Sequence, residues 1–153
     1  MMTTSPYNSA LAIATRITVI LAARPQVMRT ERGLAAIDLL TTNAGQFGLY
    51  PANLHGDSIF VATEFAARSK NITKGLRYAV THELITPVKD DNGIRFTIND
   101  NGKSFVSKLA SQYLTDYQRA LNPVLAYVDS RTDREVMRRI EQHGIEPIKE
   151  DRP

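Results

Sequence analysis

A mainly α-helical fold with one small antiparallel hairpin is what this sequence predicts, and three observations carry the prediction. Apolar residues recur at helical spacing over most of the chain. One stretch alone alternates, with Ile94, Phe96 and Ile98 set against Arg95, Thr97 and Asn99, the period of a half-buried strand. Just before it, Asn92-Gly93 is the dipeptide favoured in a two-residue type I′ turn, where both central residues need positive φ. Residues 72–109 thus read helix, hairpin, helix. That order is a winged helix-turn-helix domain with a β-hairpin wing. It narrows function without fixing it, because such domains bind DNA in some proteins and other proteins in many more.

Taken in order, the first helix runs from Ser9 to Ala23, with Leu11, Ile13, Ile17, Ile20 and Leu21 on a broad apolar face and Arg24-Pro25 at its end. A second fits Thr30 to Thr42, with Thr30 as the cap and Leu34, Ile37, Leu40 and Ala44 facing inward. Asn43 to Asp57 is a long loop holding Gly45, Gly48, Pro51 and Gly56, and loops of this length are often functional. A third helix opens at Asp57 or Ser58. Asn71 marks a turn, and a fourth helix covers Ile72 to Ile85 ahead of the wing. From Lys103 the residues Val106, Ala110, Tyr113, Tyr117, Ala120, Val124 and Val128 step in threes and fours. Unbroken, that helix would be roughly 40 Å long; a kink or two helices at Asn122-Pro123 is the alternative. Thr132-x-x-Glu135 resembles a capping box and opens a charge-dense last helix to His143, ended by Gly144. The tail from Ile145 is expected to fray. The organisation expected is a winged-helix domain with its extended helix over 1–128, then a charged helix and tail over 129–153.

The 153 residues suffice for a real core, and 42% apolar with 23% charged is ordinary for a globular protein. The chain has no cysteine, which excludes disulfides, thiolate metal sites and cysteine nucleophiles. The apolar run from Ala10 to Ala23 is interrupted by Arg16 and too short to span a bilayer. A cytoplasmic protein without membrane contact is expected.

Catalytic, cofactor and metal sites are sought and not found. Gly102-Lys-Ser104 resembles the end of a phosphate-binding loop, but the glycine needed five positions earlier is Thr97. His82-Glu83 lacks the second histidine of a zinc protease, since Thr86 stands there, and His55 and His143 fall in other elements. The chain reads as a non-enzyme that needs no cofactor. Arg68, Lys70, Lys74 and Arg77 flank or lie on the helix before the wing. There Lys70, Lys74 and Arg77 are placed to meet nucleic acid, with Lys89 and Arg95 on the wing touching backbone. A merely solvated polar face is the alternative, since a net charge of +3 is a small electrostatic footprint.

From Pro6 to about Val128 the chain resembles the middle component of bacterial ABC-type three-component systems, the small subunit of Lamassu-type anti-phage defence. The resemblance rests on Pro6-Tyr-Asn-Ser9, Asp38-Leu-Leu, Gly45-Gln-Phe-Gly48, Asn53-Leu-His-Gly56 and Glu64-Phe-x-x-Arg68. It continues through Gly93-Ile-Arg-Phe, Gly102-x-x-Phe105 and Ser111-Gln-Tyr-Leu-Thr-Asp-Tyr117. It implies a non-catalytic connector between an SMC-like ATPase with a coiled-coil arm and an effector nuclease, with DNA contacted directly or through the complex. The other function in view is a winged-helix, DNA-binding transcriptional regulator. For the connector, the expected docking surface is the outer half of the long helix, with Tyr113, Tyr117, Leu121 and Leu125, together with His55 in the long loop. Exposed apolar stripes often mark interfaces; the alternative is that the seam folds back and is buried.

Overall fold

The computed structural model describes residues 6–55 and 61–145. A 3-10 turn, Pro6–Asn8, leads into α1 (Ala10–Ala23), β1 (Arg29–Thr30), α2 (Glu31–Thr42) and α3 (Val61–Thr81). The hairpin β2 (Ile85–Asp90) and β3 (Gly93–Ile98) follows, then α4 (Asp100–Ser107), α5 (Gln112–Asp129) and α6 (Asp133–Ile145). The fold is mainly helical with one antiparallel three-stranded sheet, ordered β1-β3-β2. Two compact units are formed. One is built from the described parts of Met1–Ala35 and Ser69–Ser111, the other from those of Ala36–Arg68 and Gln112–Pro153. The expected helix start at Asp57 or Ser58 and the tail beyond Ile145 lie outside the described residues.

In the first unit α1 is capped by Ser9, whose Oγ accepts from the Ala12 amide at 3.1 Å. It packs on α4 and β3. Arg16, the charge that interrupts its apolar run, is only 2% exposed and donates to the Tyr7 carbonyl at 2.7 Å, tying the 3-10 turn down. Thr30 caps α2 as expected, accepting from the Gly33 amide at 2.9 Å. β1 itself, two residues paired with β3 through Arg29 opposite Phe96, was too short to be read as a strand.

The turn expected at Asn71 does not form; α3 runs through it. Phe65, Arg68, Ile72, Leu76 and Ala79 keep one buried face in steps of three and four, and one asparagine does not outweigh that burial. The helix ends at a Schellman motif. The Glu83 amide donates to Val80 and the Leu84 amide to Ala79, with Glu83 in the left-handed region at φ 60°.

The hairpin turn sits one residue earlier than expected. Asp90 pairs with Gly93, so Asp91 and Asn92 form the loop, and neither has positive φ. The type I′ expectation therefore fails. The Asp90 carboxylate accepts from the Asn92 amide at 2.8 Å and biases the loop to another geometry, with the positive φ, 112°, moved to Gly93. That amide and the Arg95 guanidinium hold the Asp90 carboxyl below its ordinary 3.8. Because the folded value is depressed, the contribution is present above 3.8 and fades as pH falls through the lowered value.

The long helix is two helices, and the break lies at residues 108–111 rather than at Pro123. The Lys108 and Leu109 amides donate three residues back, to Phe105 and Val106, which tightens and stops α4. In the second unit α5 continues through Pro123. Its seam of Tyr117, Ala120, Leu121, Val124, Leu125 and Val128 is buried, as are Val136 and Ile140 of α6. The capping box of α6 forms in both directions: the Thr132 amide donates to Glu135 at 2.8 Å and the Glu135 amide to Thr132 at 3.1 Å. Gly144 does not end the helix, which reaches Ile145.

Candidate functional site

Three charged or polar side chains from distant parts of the chain meet inside the second unit. Asp38 on α2 is 1% exposed, Arg68 on α3 is 9% and Tyr117 on α5 is 0%. One Asp38 oxygen accepts from the Tyr117 hydroxyl at 2.6 Å, and the other from Arg68 Nη1 at 3.0 Å. The same Arg68 nitrogen donates to Thr42 Oγ1 at 2.8 Å. A buried ion pair of this kind persists only when hydrogen bonds satisfy it, and here they do so from three helices. The set is buried and ties α2, α3 and α5 together.

It holds the loop that follows α2. Thr42, part of the network, accepts the Leu54 amide with its carbonyl at 2.9 Å, closing the loop at its far end. Within the loop, Asn53 Oδ1 accepts from the Gln46 amide at 3.0 Å, and the Leu49 amide donates to Ala44 at 2.9 Å. Phe47 is buried, and its carbonyl accepts from Arg139 of α6 at 3.1 Å. His55 stacks on Tyr113 of α5, with Nε2 and the phenol oxygen 2.5 Å apart. What this well-tied loop leaves outward is Gly48, Pro51 and Ala52, with Leu49, Tyr50, Leu54, His55 and Tyr113 half-buried.

The residues expected at a partner interface therefore divide. His55 and Tyr113 lie side by side at the surface. Tyr117, Leu121 and Leu125 are buried to 1% or less and are core, a correction to the expected wet seam. The physical reason is the break before α5, which leaves no projecting outer half, together with the carboxylate that gives the Tyr117 hydroxyl a buried partner.

Of the basic residues, Lys70 and Arg77 are exposed and Lys74 half-buried on α3. Lys89 is exposed near the hairpin tip. Arg95 is engaged with Asp90 in a surface ion pair. Arg68, grouped with these by sequence, belongs to the buried network. The signal that placed it there was available: it falls on the apolar register of α3 between Phe65 and Ile72, where a solvated charge has no place.

Gly102 has a steric explanation of its own. A Cβ there would lie 2.1 Å from the Leu84 carbonyl oxygen, and its amide already donates to the Asn99 cap at 2.9 Å. A groove of about 470 Å³ lies beside it, lined by residues including Glu83, Thr86, Asn99 and Asp100. Among the described residues no three His, Asp or Glu side chains gather in a group able to hold a metal ion. Among them, too, no helix is long and apolar enough to cross a membrane.

The model of one family, the ABC-three component (ABC-3C) system Middle Component 2, matches residues 6–150. The chain belongs to that family. No curated protein and no solved structure matches it. As a middle component it is one part of a multi-subunit system, which implies protein partners. The match runs through both units, so the buried network and the loop it holds lie within the family region.

Proposed function

We propose that this middle component is the non-catalytic connector of a Lamassu-type anti-phage defence complex, joining an SMC-like ATPase with a coiled-coil arm to an effector nuclease in the cytoplasm. The observation that carries the reading is the loop over residues 43–55. Its own hydrogen bonds and Arg139 of α6 fix its shape, a buried ion pair with Tyr117 anchors the end of α2 at its root, and its outer surface presents aromatic and apolar groups. Pre-ordering a loop lowers the entropic cost of docking, and that is what a connector needs. We read the first unit as a winged helix. The short β1 laid on β3, the order β1-β3-β2 and the helix on either side of the hairpin support that reading. The connector needs no cofactor and performs no hydrolysis itself.

The interface assigned is His55 with Tyr113, together with Tyr50 of the same loop, since aromatic anchors dominate many interfaces. Co-expression with the ATPase and effector encoded beside it tests the reading. The wild-type chain is expected to co-purify with the ATPase, and the double variant His55→Ala/Tyr113→Ala to bind it at least tenfold more weakly with its circular dichroism unchanged. Unchanged binding by that variant overturns the interface, and no co-purification of the wild type overturns the connector itself.

A further inference from the structure

The exposed charges of this protein are mixed on nearly every helix. On α6, Asp133, Glu135 and Glu141 are interspersed with Arg134, Arg138 and Arg139, and on α5 Asp116 and Asp129 accompany Arg119. The part of α3 within the first unit is different. From Phe65 to His82 there is no acidic residue, while Lys70, Lys74 and Arg77 follow one another at spacings of four and three, which places them on one face. Thr73 lies among them and donates its hydroxyl to Glu31, the acid that reaches this face. Among the described residues three cations face Glu31, a net positive stripe on a chain whose total charge is only +3.

We propose that this stripe is a docking face for the phosphate backbone of duplex DNA, bound without regard to sequence. The geometry fits. Seven residues of helix between Lys70 and Arg77 span about 10 Å, enough to follow roughly three phosphates spaced ~3.4 Å along the axis of one strand. The residue types fit as well. Lysine is a flexible point charge suited to phosphate, and such contacts position a protein on DNA without carrying sequence information. Lys89 and Arg95 lie off this helix, so neither belongs to the site. The proposal does not rest on the connector reading and is tested without the ATPase.

Fluorescence anisotropy of the full chain with a 30-base-pair duplex of arbitrary sequence, between 50 and 200 mM KCl, is the experiment. Micromolar binding at 50 mM is expected, with log K falling against log salt at a slope of about −2 to −3, as two or three phosphate contacts give. The triple variant Lys70→Gln/Lys74→Gln/Arg77→Gln is expected to lose at least tenfold in affinity and most of that slope. The triple variant Arg119→Gln/Arg134→Gln/Arg138→Gln removes equal charge elsewhere and is expected to keep both. Equal losses in the two variants overturn the proposal, as does no binding by the wild type at 50 mM. Tight binding to one sequence with little salt dependence overturns it in favour of a sequence-reading regulator. An α3 variant that keeps the wild-type affinity and salt slope overturns it too.

Discussion

In the first unit α4 packs close to the Leu84 carbonyl, where a Cβ on Gly102 would lie only 2.1 Å from the oxygen. In the second unit the tightest set is polar, with Asp38 joined to Arg68 thirty residues away and to Tyr117 seventy-nine away. The first arrangement fails when volume is added. The second fails when a charge loses its partner. This difference separates a hairpin fitted to its helices by shape from a surface loop rooted in a buried ion pair. Steric fit is cheap to keep and leaves the unit's exposed face free to carry charge, as α3 does. A buried ion pair is costly to desolvate and is kept where one geometry must be specified, which in this protein is the loop over 43–55.

The sharpest way to break the comparison is at Asp38. Replacing it with alanine removes the carboxylate that Arg68 and Tyr117 share. The expected cost is about 3–5 kcal/mol, measured by urea unfolding; a cost under about 1 kcal/mol would show that the network is not what holds the second unit. Gly102→Ala comes next. The added methyl cannot be met by rotating a side chain, because a backbone carbonyl stands in its way, so about 2–3 kcal/mol is expected. The same substitution at exposed Lys103 in the same turn should change stability little, and equal effects at the two positions would remove the steric account. The smallest effect has the opposite sign. Glu83 occupies the left-handed position that glycine favours in a Schellman motif. Glu83→Gly should stabilise by about 0.5–1 kcal/mol, the relief of the left-handed conformation less the entropy of glycine. A melting temperature raised by a few degrees would confirm it, and a lowered one would point to a role for the carboxylate in the groove it lines.

Caps and local periodicity could be read directly. Ser9, Thr30 and the Thr132–Glu135 box all act as their residue types dictate, because a cap is satisfied within three residues of itself. The β2–β3 hairpin was legible from alternation for the same reason. Its turn was misplaced by one residue because the Asp90 side chain competes for the loop amide, a choice that Asn92-Gly93 alone does not reveal. The candidate site was only half legible. Its residues stood in the motifs that carry the family resemblance, but nothing local joined Asp38 to Arg68 or His55 to Tyr113.

By itself, then, the sequence determined that the chain is mainly helical with one hairpin, where Thr30 and Thr132 cap their helices and where basic residues cluster, since each of these is set by neighbours one turn away or nearer. Tertiary structure alone decided that α3 runs through Asn71 and that the helical pattern after Lys103 breaks before α5. It also decided that Tyr117, Leu121 and Leu125 are core and that Arg68, whose place on the apolar register was readable, takes Asp38 as its partner. Those outcomes depend on what a residue is buried against, and a partner thirty or seventy-nine positions away is chosen by packing free energy rather than by local pattern.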